Sequence, residues 1–145
     1  MVSFITVLKK LMESGEEYRT GIGYPESKWT FQEFISKITD RIPELAGSGE
    51  REIEDTVLAA IDFAIENHCK AERVFERGPP GYVDYMRTVK LYSCHHPHLG
   101  RFYMLVEEVS DAQLGNWSFR FRLSKDAKEL EEAYKEKLSA LGVIF

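Results

Sequence analysis

Five consecutive residues, Cys94-His95-His96-Pro97-His98, hold three of the four histidines of this chain and one of its two cysteines. Imidazole and thiolate are zinc or copper ligands by type. Cys94, His96 and His98 therefore form a candidate metal set. His68 and Cys69 would add ligands if the end of a predicted helix packs near the run. The spacing matches no paired Cys-x-x-Cys signature. Polar residues with Pro97 and Gly100 are also what a hairpin connection needs. The preferred reading is a connecting loop with no cofactor, and zinc is the secondary one. Cysteine-nucleophile chemistry has no support: neighbours on a strand point to opposite faces, which separates Cys94 from His95, and no oxyanion-binding turn stands close by.

A second group is made of cations. Arg120 and Arg122 project from one side of a predicted strand, with Arg87 and Lys90 available from another and Tyr103 between them. Arginine and aromatic residues on a sheet surface suit phosphate or single-stranded nucleic acid. They equally suit a protein partner, or simple cross-strand pairing with Glu107 or Glu108. Tyr82 and Tyr92 share a strand face with Asp84 and Lys90 and extend the candidate surface. Tyr82, Tyr85, Tyr92, Phe102, Tyr103, Trp117, Phe119 and Phe121 could line a ligand pocket, although such residues more often fill a core. Glu66-Asn67-His68-Cys69 is a weaker acid–base candidate, because an inward histidine is usually a hydrogen-bonded core residue. No phosphate-cradling loop, dinucleotide fingerprint or nucleophile elbow is present in the sequence.

Charge narrows the partner. The net charge is −5. Residues 1–77 carry 10 Lys and Arg against 15 Asp and Glu, and residues 78–145 carry 9 against 9. An acidic first half disfavours a broad nucleic-acid surface. No stretch approaches the length of a membrane span. Two cysteines do not make a disulfide framework, and with no export signal recognised they are expected as reduced thiols in the cytoplasm.

These groups must be positioned by secondary structure. The apolar stripe Phe4, Val7, Leu8, Leu11 predicts a helix over 3–14, with Gly15 as its stop. Residues 15–28 read as a loop or a short edge strand, given Gly21, Gly23 and Pro25. Thr30 with Glu33 predicts a capping box, and Trp29 with Phe34 a hydrophobic staple, at the start of a second helix ending near Pro43. A long third helix is expected over 51–76, closed by Gly78-Pro79-Pro80-Gly81. Strands follow at about 82–94, 101–109 and 117–123, and a last helix at 125–141 with Leu130, Tyr134, Leu138 and Leu141 inward.

The reading is a single α+β domain over 1–145. It has a helical first half and a three- or four-stranded antiparallel sheet with helices on one face, the other face partly open. The expected function is non-enzymatic binding of a protein partner, or of a second copy as a homodimer, through that open face, using Tyr82, Arg87, Tyr92, Tyr103, Arg120 and Arg122. The alternatives are a small-molecule binder or enzyme with an aromatic pocket, and a metal protein using the histidine run.

Overall fold

The computed structural model describes residues 2–23, 27–77 and 85–143. Tyr82 and the Gly78-Pro79-Pro80-Gly81 break lie outside them. The first helix, α1 (Phe4–Ser14), has both ends closed as its sequence directs. Ser3 accepts from the Thr6 amide, and Gly15, at φ 63°, returns its N–H to the Leu11 carbonyl. The chain then forms β1 (Tyr18–Ile22), α2 (Ser27–Arg41), a short 3₁₀ turn at Pro43–Leu45 and α3 (Glu50–His68). Four strands follow: β2 (Cys69–Arg77), β3 (Tyr85–His96), β4 (Gly100–Asp111) and β5 (Asn116–Ser124). The last helix, α4 (Ala127–Ala140), is capped by Asp126, which accepts from the Lys128 and Glu129 amides.

The fold class is α+β, and three details of the expectation change. The sheet has five strands, in the order β1-β5-β4-β3-β2, all neighbours antiparallel. The first half is therefore only partly helical, since β1 and β2 come from it. The third helix stops at His68, and the stretch read as its last two turns is an edge strand paired along β3. Past Ile65 the helical stripe has little to bury, whereas Arg73, Phe75 and Arg77 alternate toward one face. Phe75 packs there, Arg73 pairs with Glu131 at 2.8 Å, and Arg77 donates to the Leu141 carbonyl at 2.6 Å. Sheet pairing outweighs local helix propensity. Finally, α2 starts three residues ahead of Thr30, which is buried rather than capping.

Neither face of the sheet is bare. Alternate residues of β4 and β5 (Phe102, Met104, Val106, Phe119, Phe121, Leu123) face α1, α2 and α3 and form the larger core with Phe34, Ile38, Val57 and Ile61. Glu54 of α3, 5% exposed, takes a 2.6 Å hydrogen bond from the fully buried Thr20 of β1 and a 3.1 Å contact from Arg51, which pins that strand to the helix layer. On the opposite face Val89, Leu91 and Leu105 pack against Leu130, Tyr134 and Leu138 of α4. Each such aliphatic side chain contributes on the order of 1.5–3 kcal/mol when buried. Helices thus cover both faces, and the open sheet face expected from sequence is replaced by a cleft beside α4.

Candidate functional site

Strand parity decides which charged side chains meet. Arg87, Leu105, Glu107, Arg120 and Arg122 occupy positions facing α4, and with Ala133, Glu136, Lys137, Ala140 and Leu141 of that helix, and Glu17, they line a recess of about 380 Å³. Leu105 gives it an apolar floor, 1% exposed. Glu107 lines it with a side chain only 8% exposed. One of its oxygens accepts from Arg87 at 2.8 Å and the other from Lys137 at 3.1 Å. Lys137 also reaches Glu17 at 2.6 Å. A carboxylate buried this far is tenable because both oxygens meet a cation.

The two remaining arginines differ. Arg122 is occupied by structure: its Nε donates to the Gly15 carbonyl at 2.8 Å and its guanidinium pairs with Glu129. It ties β5 to the end of α1 and to the first turn of α4. Arg120, half-buried, forms no ion pair among the described residues, although Glu107 stands opposite it on β4. Arg120 and Glu17 also border a second recess of about 160 Å³, lined further by Arg19, Thr30, Glu33, Phe34 and Lys37. Among the described residues that line the two recesses, six are cations and four are carboxylates. The acidic protein thus carries a locally positive cleft, a geometry that focuses field on anionic ligands.

The structure separates other residues that the sequence grouped together. Tyr103 packs at the edge of the α4-side core. Tyr92 stands on the opposite face, 8% exposed and within the helix-covered core. Burial first, then the Glu108 and Asp62 charges, raise its phenol above the ordinary range. The carboxyl of Asp62, an exposed residue of α3, is also raised, through partial desolvation and then the Glu66 and Glu108 charges. Glu108 accepts from the Trp117 indole at 2.6 Å. Of the aromatics proposed as a pocket wall, Phe102, Phe119 and Phe121 are core, at 0, 9 and 1% exposed, and Trp117 packs half-buried against them. Among the described residues, no aromatic side chain lines the α4 recess.

The histidine run forms the end of β3 and the turn into β4, closed by Gly100 at φ 71°. The condition set for His68 and Cys69 is met: the end of α3 packs beside the run. Cys69 faces Cys94 across the β2–β3 ladder and is joined to it by a disulfide, which corrects the expectation of reduced thiols. The His68 and His96 ring centres are 4.5 Å apart, and those of His96 and His98 are 5.6 Å apart. His96 is 7% exposed, and its Nδ1 accepts the His98 amide at 3.0 Å. Burial, then the neighbouring His68, His98 and His95, hold its imidazole below the ordinary range. No three His, Cys, Asp or Glu groups among the described residues are placed to hold a metal ion.

Sequence reasoning missed Lys137 and Glu17. Lys137 had a signal: it falls on the inner stripe of the last helix, between Tyr134 and Leu138, where a lysine needs a partner. Glu17 had none, because its role depends on the pairing of β1 with β5 across the whole chain. No helix of the described residues is long and apolar enough to cross a membrane. The chain matches no protein-family model, no curated protein and no solved structure.

Proposed function

We propose that this chain is a non-enzymatic interaction module that binds an acidic segment of a protein partner in the cleft between α4 and the sheet. The observation that carries the reading is Arg120. It is a half-buried cation with no carboxylate paired to it among the described residues, set beside Arg87, Arg122 and Lys137 in a protein of net charge −5. A carboxylate-bearing segment entering the cleft would supply the missing partner and gain charge-assisted hydrogen bonds. Glu107, the most buried acid there, is held by two cations and is not poised as a base. That arrangement supports binding over catalysis.

Glu- and Asp-rich peptides labelled for fluorescence anisotropy test the reading. Binding should weaken with salt, and Arg120→Glu should abolish it while circular dichroism stays unchanged. Equal binding by wild type and Arg120→Glu would sink the proposal. Arg122 is a poorer test, because its contacts with Gly15 and Glu129 are structural. A second reading, a small carboxylate or phosphate ligand, is favoured by the recess of about 380 Å³, which lies within the usual range for small-molecule sites. Native mass spectrometry separates the two, and also detects a homodimer.

The compartment belongs to the same proposal. In the cytoplasm, the setting inferred from sequence, the Cys69–Cys94 bond would be reduced; in an oxidising compartment it would persist. Trapping the thiol state in the host decides between them.

A further inference from the structure

The chain has two cysteines and four histidines, and five of these six stand at one end of the β2–β3 pair: the Cys69–Cys94 disulfide and the neighbouring His68, His96 and His98 rings. His68 and Cys69 arrive from the junction of α3 and β2. Cys94 and His96 arrive from β3, two residues apart and hence on the same face. The ladder sets Cys69 opposite Cys94, and the His68 ring lies 4.5 Å from that of His96. The Cys94 and His96 side chains are buried, so ligands there are shielded from water on the core side. Two sulfurs and two imidazoles from two chain segments are the donor set of a tetrahedral structural zinc site. In the oxidised protein the two sulfurs are bonded to each other and do not serve as thiolate ligands.

We propose that opening the Cys69–Cys94 disulfide converts this cluster into a zinc site with Cys69, Cys94, His68 and His96 as ligands. The reductant is a dithiol. It breaks the S–S bond, gives its two electrons and two protons to the cysteine sulfurs, and itself closes to a disulfide. Zinc then displaces the two thiol protons, and two thiolates with two neutral imidazoles leave the site with no net charge. His96 gives up the hydrogen bond its Nδ1 now accepts from the His98 amide. That bond is lost whether the metal takes Nδ1 directly or takes Nε2 with the proton moved across. The edge strand β2 and the end of α3 would then be held to β3 by a disulfide in one redox state and by a metal in the other.

The test uses the full chain, reduced anaerobically with dithiothreitol, freed of reductant and titrated with Co²⁺, then with Zn²⁺. One equivalent should bind with the visible d–d bands of a tetrahedral site and a sulfur-to-cobalt charge-transfer band, and zinc should displace it. The oxidised protein should show neither band. His68→Ala and His96→Ala should each weaken cobalt binding at least about tenfold, while the exposed His95→Ala leaves it unchanged. If reduction unfolds the chain, metal should restore its circular dichroism. Three results overturn the proposal: a folded, reduced protein without tetrahedral bands, an unfolded one that metal does not restore, or undiminished bands when both His68 and His96 are alanine.

Discussion

Replacing Glu107 by Gln should weaken the fold and strengthen the cleft's grip on an acidic ligand. The substitution keeps shape and removes one charge. Glu107 now serves two cations, Arg87 at 2.8 Å and Lys137 at 3.1 Å. A glutamine oxygen can satisfy one of them, and its amide group turns donors toward the other. One charge-assisted hydrogen bond is lost and the second becomes charge-to-neutral. Such bonds contribute about 1.5–3 kcal/mol each. The cations are partly wet, with side chains 29% and 19% exposed, so water recovers part of the loss. The net cost is about 2 kcal/mol. At about 2–4 °C per kcal/mol for a chain of this size, the melting temperature should fall by roughly 4–8 °C. Urea unfolding should show a lower midpoint at unchanged slope. Arg87 and Lys137, released from their internal carboxylate, should bind an acidic peptide roughly fivefold more tightly, equivalent to about 1 kcal/mol of removed repulsion in a wet cleft. A stability change below about 0.5 kcal/mol would refute the claim that this network is more than a surface ion pair. Weaker peptide binding would refute the competition between Glu107 and the ligand.

Three further outcomes are expected. Gly21→Ala places a Cβ 2.5 Å from the Trp117 carbonyl, so β1 must shift from β5; a loss of about 1–3 kcal/mol in urea unfolding is expected. Thr20→Val removes the buried hydroxyl that donates to Glu54 and should cost about 1–3 kcal/mol, whereas pairing it with Glu54→Leu should recover much of the loss in a double-mutant cycle. The Asp62 carboxyl, although exposed, has a folded pKa raised above its unfolded value by partial desolvation, Glu66 and Glu108. The folded state therefore binds that proton more tightly, and its contribution to stability grows as pH falls through the raised value and fades as pH rises past it. Asp62→Asn should raise the neutral-pH urea midpoint and remove that part of the acid-range profile; an unchanged profile would rule the effect out.

Much of the β half was legible from sequence, because its signals are local. The alternation of Trp117, Phe119, Phe121 and Leu123 against Arg120 and Arg122 fixes which side chains share a face, and the turns at Gly100 and Gly115 follow from residues that tolerate positive φ. The stripe Leu130, Tyr134, Leu138 likewise marks the inner face of α4. What local pattern could not settle was which surface each stripe meets. A four-residue stripe on α4 fits either face of the sheet, so the covering of the Arg120 side was invisible. The strand over residues 69–77 was hidden for a related reason. Its residues are mostly exposed, it has a bulge between Ala71 and Arg73, and its helix-compatible composition is overruled only by pairing with β3. The convergence of His68 and Cys69 on the histidine run could be posed from sequence as a condition, because it depended on that same pairing.

The strand order has a consequence for synthesis. Tyr18 finds its partner in Phe121, and Ile22 in Trp117, about 100 residues later in the chain. At roughly 5–20 residues per second of elongation, β1 stands without its sheet neighbour for on the order of 5–20 s. During that interval Tyr18 and Thr20, which end 1% and 0% exposed, have no strand to cover them. The hairpins β3–β4 and β4–β5 can form as they emerge, but closure of the sheet by β1 is a long-range event and the slowest kind to nucleate. The Thr20–Glu54 and Lys137–Glu17 contacts both wait on it. The charged cleft is therefore completed last, after the ribosome has delivered both α4 and the strand beneath it.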